Sequence, residues 1–591
     1  MSTDLYGRRD FLKAIGLGGA GLAMTGKVTA SESSRTRKPN IVLVLTDDQG
    51  WGDIHSHDND LLDTPVMDRL AASGARFDRF YVDPVCAPTR AGILTGRYPL
   101  RTGITGVTRG RETMRMDEVT IAGVLKNAAG YATGCFGKWH NGAHYPYHPN
   151  GKGFDEFLGF CSGHWNNYFD TQLEHNGEPL RTSGYITDVL TDAAMVFIEE
   201  NRDRPFFCYL PYNAPHSPFQ VPRKYFDKYK ARGFDDELAS VYGMVENLDH
   251  NLGRLLAKLD ELKLSKETIV IFLTDNGPNT DRFNGGMRGY KGEVHEGGLR
   301  VPCFISWPGR IKAGITIDRI AAHIDLLPTL VELAGIERVD TLPLDGGSLV
   351  PLLKGKADRW PERMIFTGWR KYGSVRTQRY RLVVKPGEIV ELYDMISDPE
   401  EKNNIAPERP EAAAKLEQAY DDWYKDVTGP GLEVPPIPIG YEQRKLVELP
   451  AHEGHLEGGV KYKGGRGWAN DWVTGWTDTD AHVYWDMDVV NSGAYEITLM
   501  YTCAKQDLGA KVRIEVGGKH IEGIVEKAHD PAPIPSPDRV PRKEVYEKVW
   551  APLTLGIVEL QTGRTRLYVK ALTKPGMSVM DLKSVRIRQV D

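Results

Sequence analysis

An α/β fold with a mostly parallel central sheet flanked by helices, followed by a separate β-sandwich, is the class this sequence predicts, and three observations carry it. The apolar, β-branched runs from Asn40 to Thr46 and from Thr268 to Thr274 have no polar alternation, as expected of strands buried on both faces. Helical patterns, from Thr64 to Gly74 and from Leu238 to Leu262, separate such runs and supply the crossovers that parallel strands require. From about Leu449 onward, HVYWDMDVV, GAYEITLMYTC and KVRIEVGG alternate apolar and polar residues between turn signals, the mark of a sandwich.

With 591 residues, 41% of them hydrophobic, the chain has material for more than one core. We divide it into a leader at 1–30, a main α/β domain at 38–360, a small antiparallel subdomain at 361–428, a Pro-rich linker at 429–446 and the sandwich at 447–591. The leader carries Arg8-Arg9-Asp10-Phe11-Leu12-Lys13, a small and apolar stretch from Ala14 to Met24, and a small-residue cut near Ala30. It resembles a twin-arginine export signal, which implies the Tat export machinery as a partner and a periplasmic or extracellular location. The apolar stretch is shorter than the ~20 residues a span requires, so no stable membrane span is expected. A net charge of −6 leaves no electrostatic footprint for nucleic acid.

The six cysteines, Cys86, Cys135, Cys161, Cys208, Cys303 and Cys503, are too scattered for a disulfide framework. Most are expected to be reduced core residues. In the subdomain, FTGWRK, GSVRTQRYRLVVK and EIVELYDM read as short antiparallel strands, followed by a helix from about Pro410 to Tyr424.

Both long apolar strands end in polar clusters, Asp47-Asp48-Gln49-Gly50 and Asp275-Asn276-Gly277. Ligand sites of open α/β sheets lie off the carboxyl ends of the strands, so both clusters are expected on one edge. Asp47, Asp48, Asp275 and Asn276 offer hard oxygen ligands, which suit Ca²⁺ or Mg²⁺ rather than zinc or copper. The pentapeptide Cys86-Ala87-Pro88-Thr89-Arg90 begins another segment with a chemical signature. Pro88 suits the first turn of a helix, which places Cys86 at a helix N-terminus that favours anions. As a plain thiol there, Cys86 is expected to have a lowered pKa.

These pieces stand in a fixed order along the chain: NIVLVLTDDQG, CAPTR, GKWH (Gly137 to His140), APHSP (Ala214 to Pro218), LTDNGP (Leu273 to Pro278), and RGYKGEVHEGGLRVP (Arg288 to Pro302). The series, with the later ELYD and DPEEKNNIA segments, resembles the type I, formylglycine-dependent sulfatases of the alkaline phosphatase superfamily from about Asn40 to Tyr424. The resemblance implies an alkaline-phosphatase-like fold and a sulfuric ester hydrolase. A formylglycine-generating maturation enzyme would convert Cys86, whose hydrate attacks sulfur, and one Ca²⁺ would be held by Asp47, Asp48, Cys86, Asp275 and Asn276. It also implies that Arg90, Lys138 and Lys291 hold the hydrate and the sulfate oxygens. His216, with Lys291, would protonate the leaving alcohol, and His140 would act as the base that regenerates the aldehyde.

Two departures from the family pattern stand out: Thr89 where serine is commoner, and Asn141 after GKWH where leucine is frequent. The loop His164, Trp165, Asn166, Asn167 and Tyr168 mixes rings and amides suited to a sugar, and with export it points to a sulfated carbohydrate substrate. The tail resembles carbohydrate-binding jelly rolls, in which Trp468, Trp472, Trp476 and Trp485 offer stacking faces or core packing. Two other readings stay open: a phosphonate or phosphodiester hydrolase using the same formylglycine, and a non-catalytic glycan-binding protein.

Overall fold

The computed structural model describes residues 38–385, 387 and 390–590, so the expected leader at 1–30 lies outside the described residues. The main sheet comprises β1 (Asn40–Thr46), β2 (Ala75–Tyr81), β3 (Ala132–Lys138), β4 (Glu156–Phe160), β5 (Gln172–His175), β6 (Glu178–Arg181), β7 (Phe206–Pro211), β8 (Thr268–Thr274), β9 (Arg300–Ser306) and β10 (Ile315–Ile317), with the short strand Ala321–Ala322 also paired to β2. Their spatial order is 10-2-9-8-1-7-3-4-5-6. The centre, β8-β1-β7-β3-β4, is parallel. Antiparallel pairings join β9 to β8 and β2, and β5 to β4 and β6.

Unbroken hydrophobicity in β1 follows from this burial, because its alternate residues feed two cores. Val42 and Val44 pack with Leu190, Leu248 and Leu252 on one face. Ile41, Leu43 and Leu45 pack with Ala91, Leu94 and Leu125 on the other. The long helix Asp236–Glu261, capped by Asp235 accepting from the Leu238 amide at 2.8 Å, covers the first face. The helix Cys86–Thr95 covers the second, with Cys86 as its first residue. Five parallel strands therefore point their carboxyl ends at one edge, and Thr46 stands opposite Thr274 there.

The subdomain strands Ile365–Trp369, Tyr372–Arg376, Tyr380–Val384 and Glu391–Asp394 form an antiparallel sheet with the helix Pro410–Thr428 against it. Arg381, fully buried, ties this sheet to the main domain. Its guanidinium reaches Glu296 at 2.6 Å and Glu401 at 3.1 Å.

Two six-stranded sheets form the sandwich. Ile437–Ile439, within the span expected as linker, is one of its strands, paired in parallel with His482–Val489. Two apolar isoleucines in that Pro-rich span find a place in the sandwich core, which composition alone does not disclose. Trp476 and Trp485 are fully buried in that core, and Trp472 is 3% exposed, so these three are unavailable for sugar stacking. Trp468 alone of the four is half-buried.

All six cysteines are free and buried. Among the described residues no helix is long and apolar enough to cross a membrane.

Replacing Arg381 by Ala would leave Glu296 and Glu401 buried without their shared cation, which costs about 3–5 kcal/mol. We expect a loss of that size in chemical denaturation, and a loss below about 1 kcal/mol would show that the bridge does not hold the subdomain.

Candidate active site

Adjacent parallel strands deliver the polar residues. Asp47 and Asp48 follow β1, while Asp275 and Asn276 follow β8. The Asp275 amide donates to the Thr46 carbonyl at 3.1 Å, and the Asp48 amide donates to Asp275 Oδ1 at 3.2 Å. Lys138 ends β3, with His140 just beyond, and the turn after β7 carries His216. The Cys86 helix approaches the same place, and Asp47, Asp275 and Cys86 bring ligand atoms within 4.8 Å of one another. Asp47, Asp48 and His216 form a second such group. The structure therefore gathers at one edge every residue expected to be catalytic or metal-binding.

Three buried carboxylates meet three cations there. Lys138 Nζ lies 2.5 Å from Asp47, Arg90 lies 2.7 Å from Asp275 and 3.4 Å from Asp47, and Lys291 Nζ lies 2.6 Å from Asp48. Arg90 also donates to the Lys138 carbonyl at 2.8 Å, which locks the Cys86 helix to β3. Burial pushes the Asp47 carboxyl up, but Lys138, His216 and Arg90 outweigh it and hold the group well below the carboxylate range. Asp275 moves the other way, to about 7, through burial and the Asp47 charge against the pull of Arg90.

Several buried oxygens stay without a hydrogen-bond partner: Asp47 Oδ1, Asp48 Oδ2 and Asn276 Oδ1. Asn276 spends its Nδ2 on Asp48 Oδ1 at 2.7 Å, leaving that oxygen bare. Unpaired buried acceptors are costly and call for a positive partner. An all-oxygen set of this kind fits a hard divalent cation.

Each histidine's tautomer follows from a carbonyl. His140 Nε2 lies 2.8 Å from the Val107 oxygen, which can only accept, so Nε2 carries the hydrogen and the unpartnered Nδ1 keeps a lone pair. Burial and Lys138 hold its pKa well below the usual value, so the ring is neutral. His216 Nδ1 donates to the Ser217 carbonyl at 2.6 Å, which leaves Nε2, 3.7 Å from Asp48, toward the cluster. Burial and Lys291 push His216 down, and Asp48 pulls it back up.

Cys86 differs from the expectation of an acidic thiol. Burial pushes its pKa up, and Asp47 and Asp275 add to this against Lys138 and Lys291. A helix N-terminus lowers a thiol pKa only when the sulfur is not desolvated beside carboxylates.

The family departures find local reasons. Thr89 Oγ1 donates to the Asp83 carbonyl at 3.1 Å and accepts from its amide at 2.9 Å, bonds that a serine hydroxyl also makes. Asn141 Nδ2 donates to the Ala87 carbonyl at 3.0 Å and so fixes the Cys86 helix from the His140 side.

A cleft of about 540 Å³ opens over Cys86, His140 and His216. Of the five residues expected to bind substrate, His164 lines it, its ring parallel to that of His216 at 6.5 Å. The others serve elsewhere. Trp165 stacks on Phe160 against the core, and Tyr168 donates its hydroxyl to the His216 and Ser217 carbonyls at 3.0 and 2.9 Å. Asn166 donates to Glu547 at 3.1 Å, and Asn167 lies outside the cleft lining. Of the four tryptophans expected in the tail as stacking faces or core, Trp468 lines the cleft, and sequence reasoning missed the other residues that line it from afar: Trp369 and Arg370 of the subdomain, and 540–544 of the sandwich. No local signal links Glu544 to Ser217, 327 residues away, yet they bond at 2.5 Å.

The Sulfatase family model matches residues 39–336, half of the chain. The chain belongs to the sulfatase family. A second family model, N-sulphoglucosamine sulphohydrolase, C-terminal, matches residues 290–423, so neither match reaches the sandwich. Arylsulfatase A of Homo sapiens is 36% identical over 377 residues, which cover 56% of this chain and 70% of that protein. The N-acetylgalactosamine-6-sulfatase of Canis lupus familiaris is 31% identical, covering 58% and 69%. The crystal structure of Ps i-CgsB in complex with k-i-k-neocarrahexaose superposes with a TM-score of 0.63 at 30% identity, covering 68% of this chain and 95% of that one. This sulfatase is thus a sulfuric ester hydrolase with an alkaline-phosphatase-like fold, as its motifs led us to expect.

If the bare oxygens mark a cation site, Ca²⁺ at a hundred times its dissociation constant stabilises the fold by about 2.7 kcal/mol. The thermal midpoint should rise by several degrees with Ca²⁺ and should not respond in Asn276→Ala. An unresponsive native chain would remove the site.

Proposed function

We propose that this sulfatase releases inorganic sulfate from a sulfated carbohydrate, using a formylglycine made from Cys86 and one Ca²⁺ held by Asp47, Asp48, Cys86, Asp275 and Asn276. The observation that carries the reading is the meeting of Cys86 with three carboxylates, three cations and two histidines at one strand edge, beneath a single cleft. A buried thiol with a raised pKa is a poor nucleophile, which supports conversion. Once converted, the side chain would supply a hydroxyl nucleophile, and a bound ion would supply positive charge beside it.

The chain's own residues divide the remaining work. Lys138 and Lys291 set fixed positive charge where a sulfate monoanion docks, the kind of term that dominates catalysis in a dry site. Arg90, bonded to Asp275 and to the Lys138 carbonyl, fixes the first turn of the Cys86 helix against that charge. His216, once its ring carries a second proton at Nε2, passes that proton to the departing sugar oxygen, with Lys291 beside it. His140 accepts a proton at Nδ1, the nitrogen that its Val107 bond leaves free. Carbohydrate is favoured because the solved structures similar to this chain include a complex with k-i-k-neocarrahexaose and a complex with D-glucosamine-2-N,6-O-disulfate. The cleft volume also suits one or two sugar rings. Arg8-Arg9 and the apolar run behind them support export through the Tat machinery to the periplasm or beyond, after maturation of Cys86.

The test is sulfate release from sulfated oligosaccharides by protein produced with a formylglycine-generating enzyme, with phosphate release from matched phosphate esters as the counter-assay. The Cys86 peptide should lose roughly 18 Da, the difference between thiol and aldehyde. Phosphate release exceeding sulfate release would overturn the reading. His216→Ala should lower kcat on sugar sulfates by about 10²–10⁴, and less on aryl sulfates, whose leaving groups need no proton. An equal loss on both would argue against the acid role.

A further inference from the structure

The segment 525–550 runs between the sandwich strands Lys519–Ile524 and Ala551–Leu560 without helix or strand, apart from an isolated bridge at His529. Irregular connections of that length in a compact domain are commonly functional. Pro531, Pro533, Pro535, Pro537 and Pro541 stiffen this one and lower the entropy lost on ordering it. It does not stay with the sandwich but crosses to the α/β domain as a strap.

Its attachment is polar and specific. Gln220 Nε2 donates to Ser536 Oγ at 2.8 Å and to Asp538 Oδ1 at 2.7 Å. Arg539 donates to the Val221 carbonyl at 2.9 Å, with its guanidinium 4.4 Å from the centroid of the Phe226 ring. Arg542 donates to the Asn166 carbonyl at 2.6 Å while paired with Asp538 at 2.7 Å, and Ser217 donates to Glu544 at 2.5 Å. The last two bonds hold the loops carrying His164 and His216. Between these anchors the strap forms a wall of the cleft over Cys86.

One strap residue is left uncommitted by this docking. Lys543 lines the cleft, is exposed, and among the described residues has neither an ion-pair nor a hydrogen-bond partner. Arg370, from the subdomain, also lines the cleft and has no carboxylate partner among the described residues, its guanidinium 5.6 Å from the Trp369 ring centroid. Trp468 adds an apolar wall, braced by Arg466 at 4.6 Å from its ring centroid. Glu237 and Glu293 stand on the same lining and can accept from hydroxyls. By contrast Lys291, deeper in, is already paired with Asp48.

We propose that the strap makes the sandwich part of the substrate site, a second subsite in which Lys543, with Arg370 and the Trp468 wall, binds an anionic substituent on the sugar next to the one being desulfated. This rests on the carbohydrate reading above and deepens it. The free lysine has a use there, because it can make a charge-assisted hydrogen bond to a fixed anion without giving up another partner. Specificity for a polyanionic chain over a small ester would then come from a module outside both family matches.

The full-length, converted enzyme is assayed with a panel of oligosaccharides that carry one sulfate or two, and with 4-nitrocatechol sulfate. Lys543→Glu should lower the ratio of kcat/KM on the disulfated oligosaccharide to that on 4-nitrocatechol sulfate by about tenfold or more, chiefly through KM. The monosulfated chain should show a smaller fall, and Lys543→Arg should retain the native ratio. In a separate binding titration, the Cys86→Ser chain should bind the disulfated oligosaccharide at least tenfold more tightly than the Cys86→Ser, Lys543→Glu chain does. Unchanged ratio and affinity in Lys543→Glu would overturn the subsite and leave the carbohydrate reading intact. Native enzyme that cleaves only 4-nitrocatechol sulfate would instead overturn the carbohydrate reading, and the subsite with it.

Discussion

Three carboxylates buried at one strand edge are tolerable only because two buried cations, Arg90 and Lys138, and the half-buried Lys291 meet them, and this mutual neutralisation constrains the rest of the site. Taking a charge out of water costs several kcal/mol unless a partner compensates. Arg90 therefore has to come from the Cys86 helix, Lys138 from the end of β3 and Lys291 from the loop before β9, each at a bonding distance from its aspartate. The sheet order sets this up, since β8, β1, β7 and β3 are neighbours. The balance also explains why the bare oxygens remain. With the cations spent on one oxygen of each carboxylate, the second oxygens of Asp47 and Asp48, and the amide oxygen of Asn276, still need a positive partner.

Backbone strain sits in the same place. Asp48 and His140 both hold positive φ, at 67° and 59°, where non-glycine residues pay about 1–3 kcal/mol. Close packing leaves no relaxed alternative. A Cβ at Gly277 would lie 2.0 Å from the Gly297 carbonyl oxygen, so the turn after β8 runs in contact with the backbone that follows Lys291. The polar cluster and the tight turns thus enforce one another, and the side chains are held in position before substrate arrives.

Around this shared core the cleft is assembled from three modules. The α/β domain supplies the floor, the subdomain contributes Trp369 and Arg370, and the sandwich contributes Trp468 and the strap. Four histidines outside the cleft pair with carboxylates instead. His144 pairs with Glu453, His148 with Glu174, His175 with Glu156 and His295 with Glu391. His144 and Glu453 join the α/β domain to the sandwich at 2.9 Å, a further polar tie behind the strap.

Most of the fold, the sulfatase family and the gathering of the candidate site were readable in the chain itself. Asn40–Thr46 and Thr268–Thr274 are strands at the bounds their composition indicates, because burial on both faces demands unbroken apolar residues. The placement of both acidic clusters on one edge followed from parallel pairing. What periodicity does not encode is which distant loops meet. Trp165 and Tyr168 look like sugar-binding residues until packing turns one to the core and the other to brace His216. The Cys86 thiol looks acidic until desolvation is counted. Residue types and strand order determine the candidate site, since its groups sit at or near the ends of elements that their own segments dictate. Tertiary structure decides the shape of the cleft, because its outer wall is a proline-stiffened strap from another module, held by contacts between residues more than three hundred positions apart.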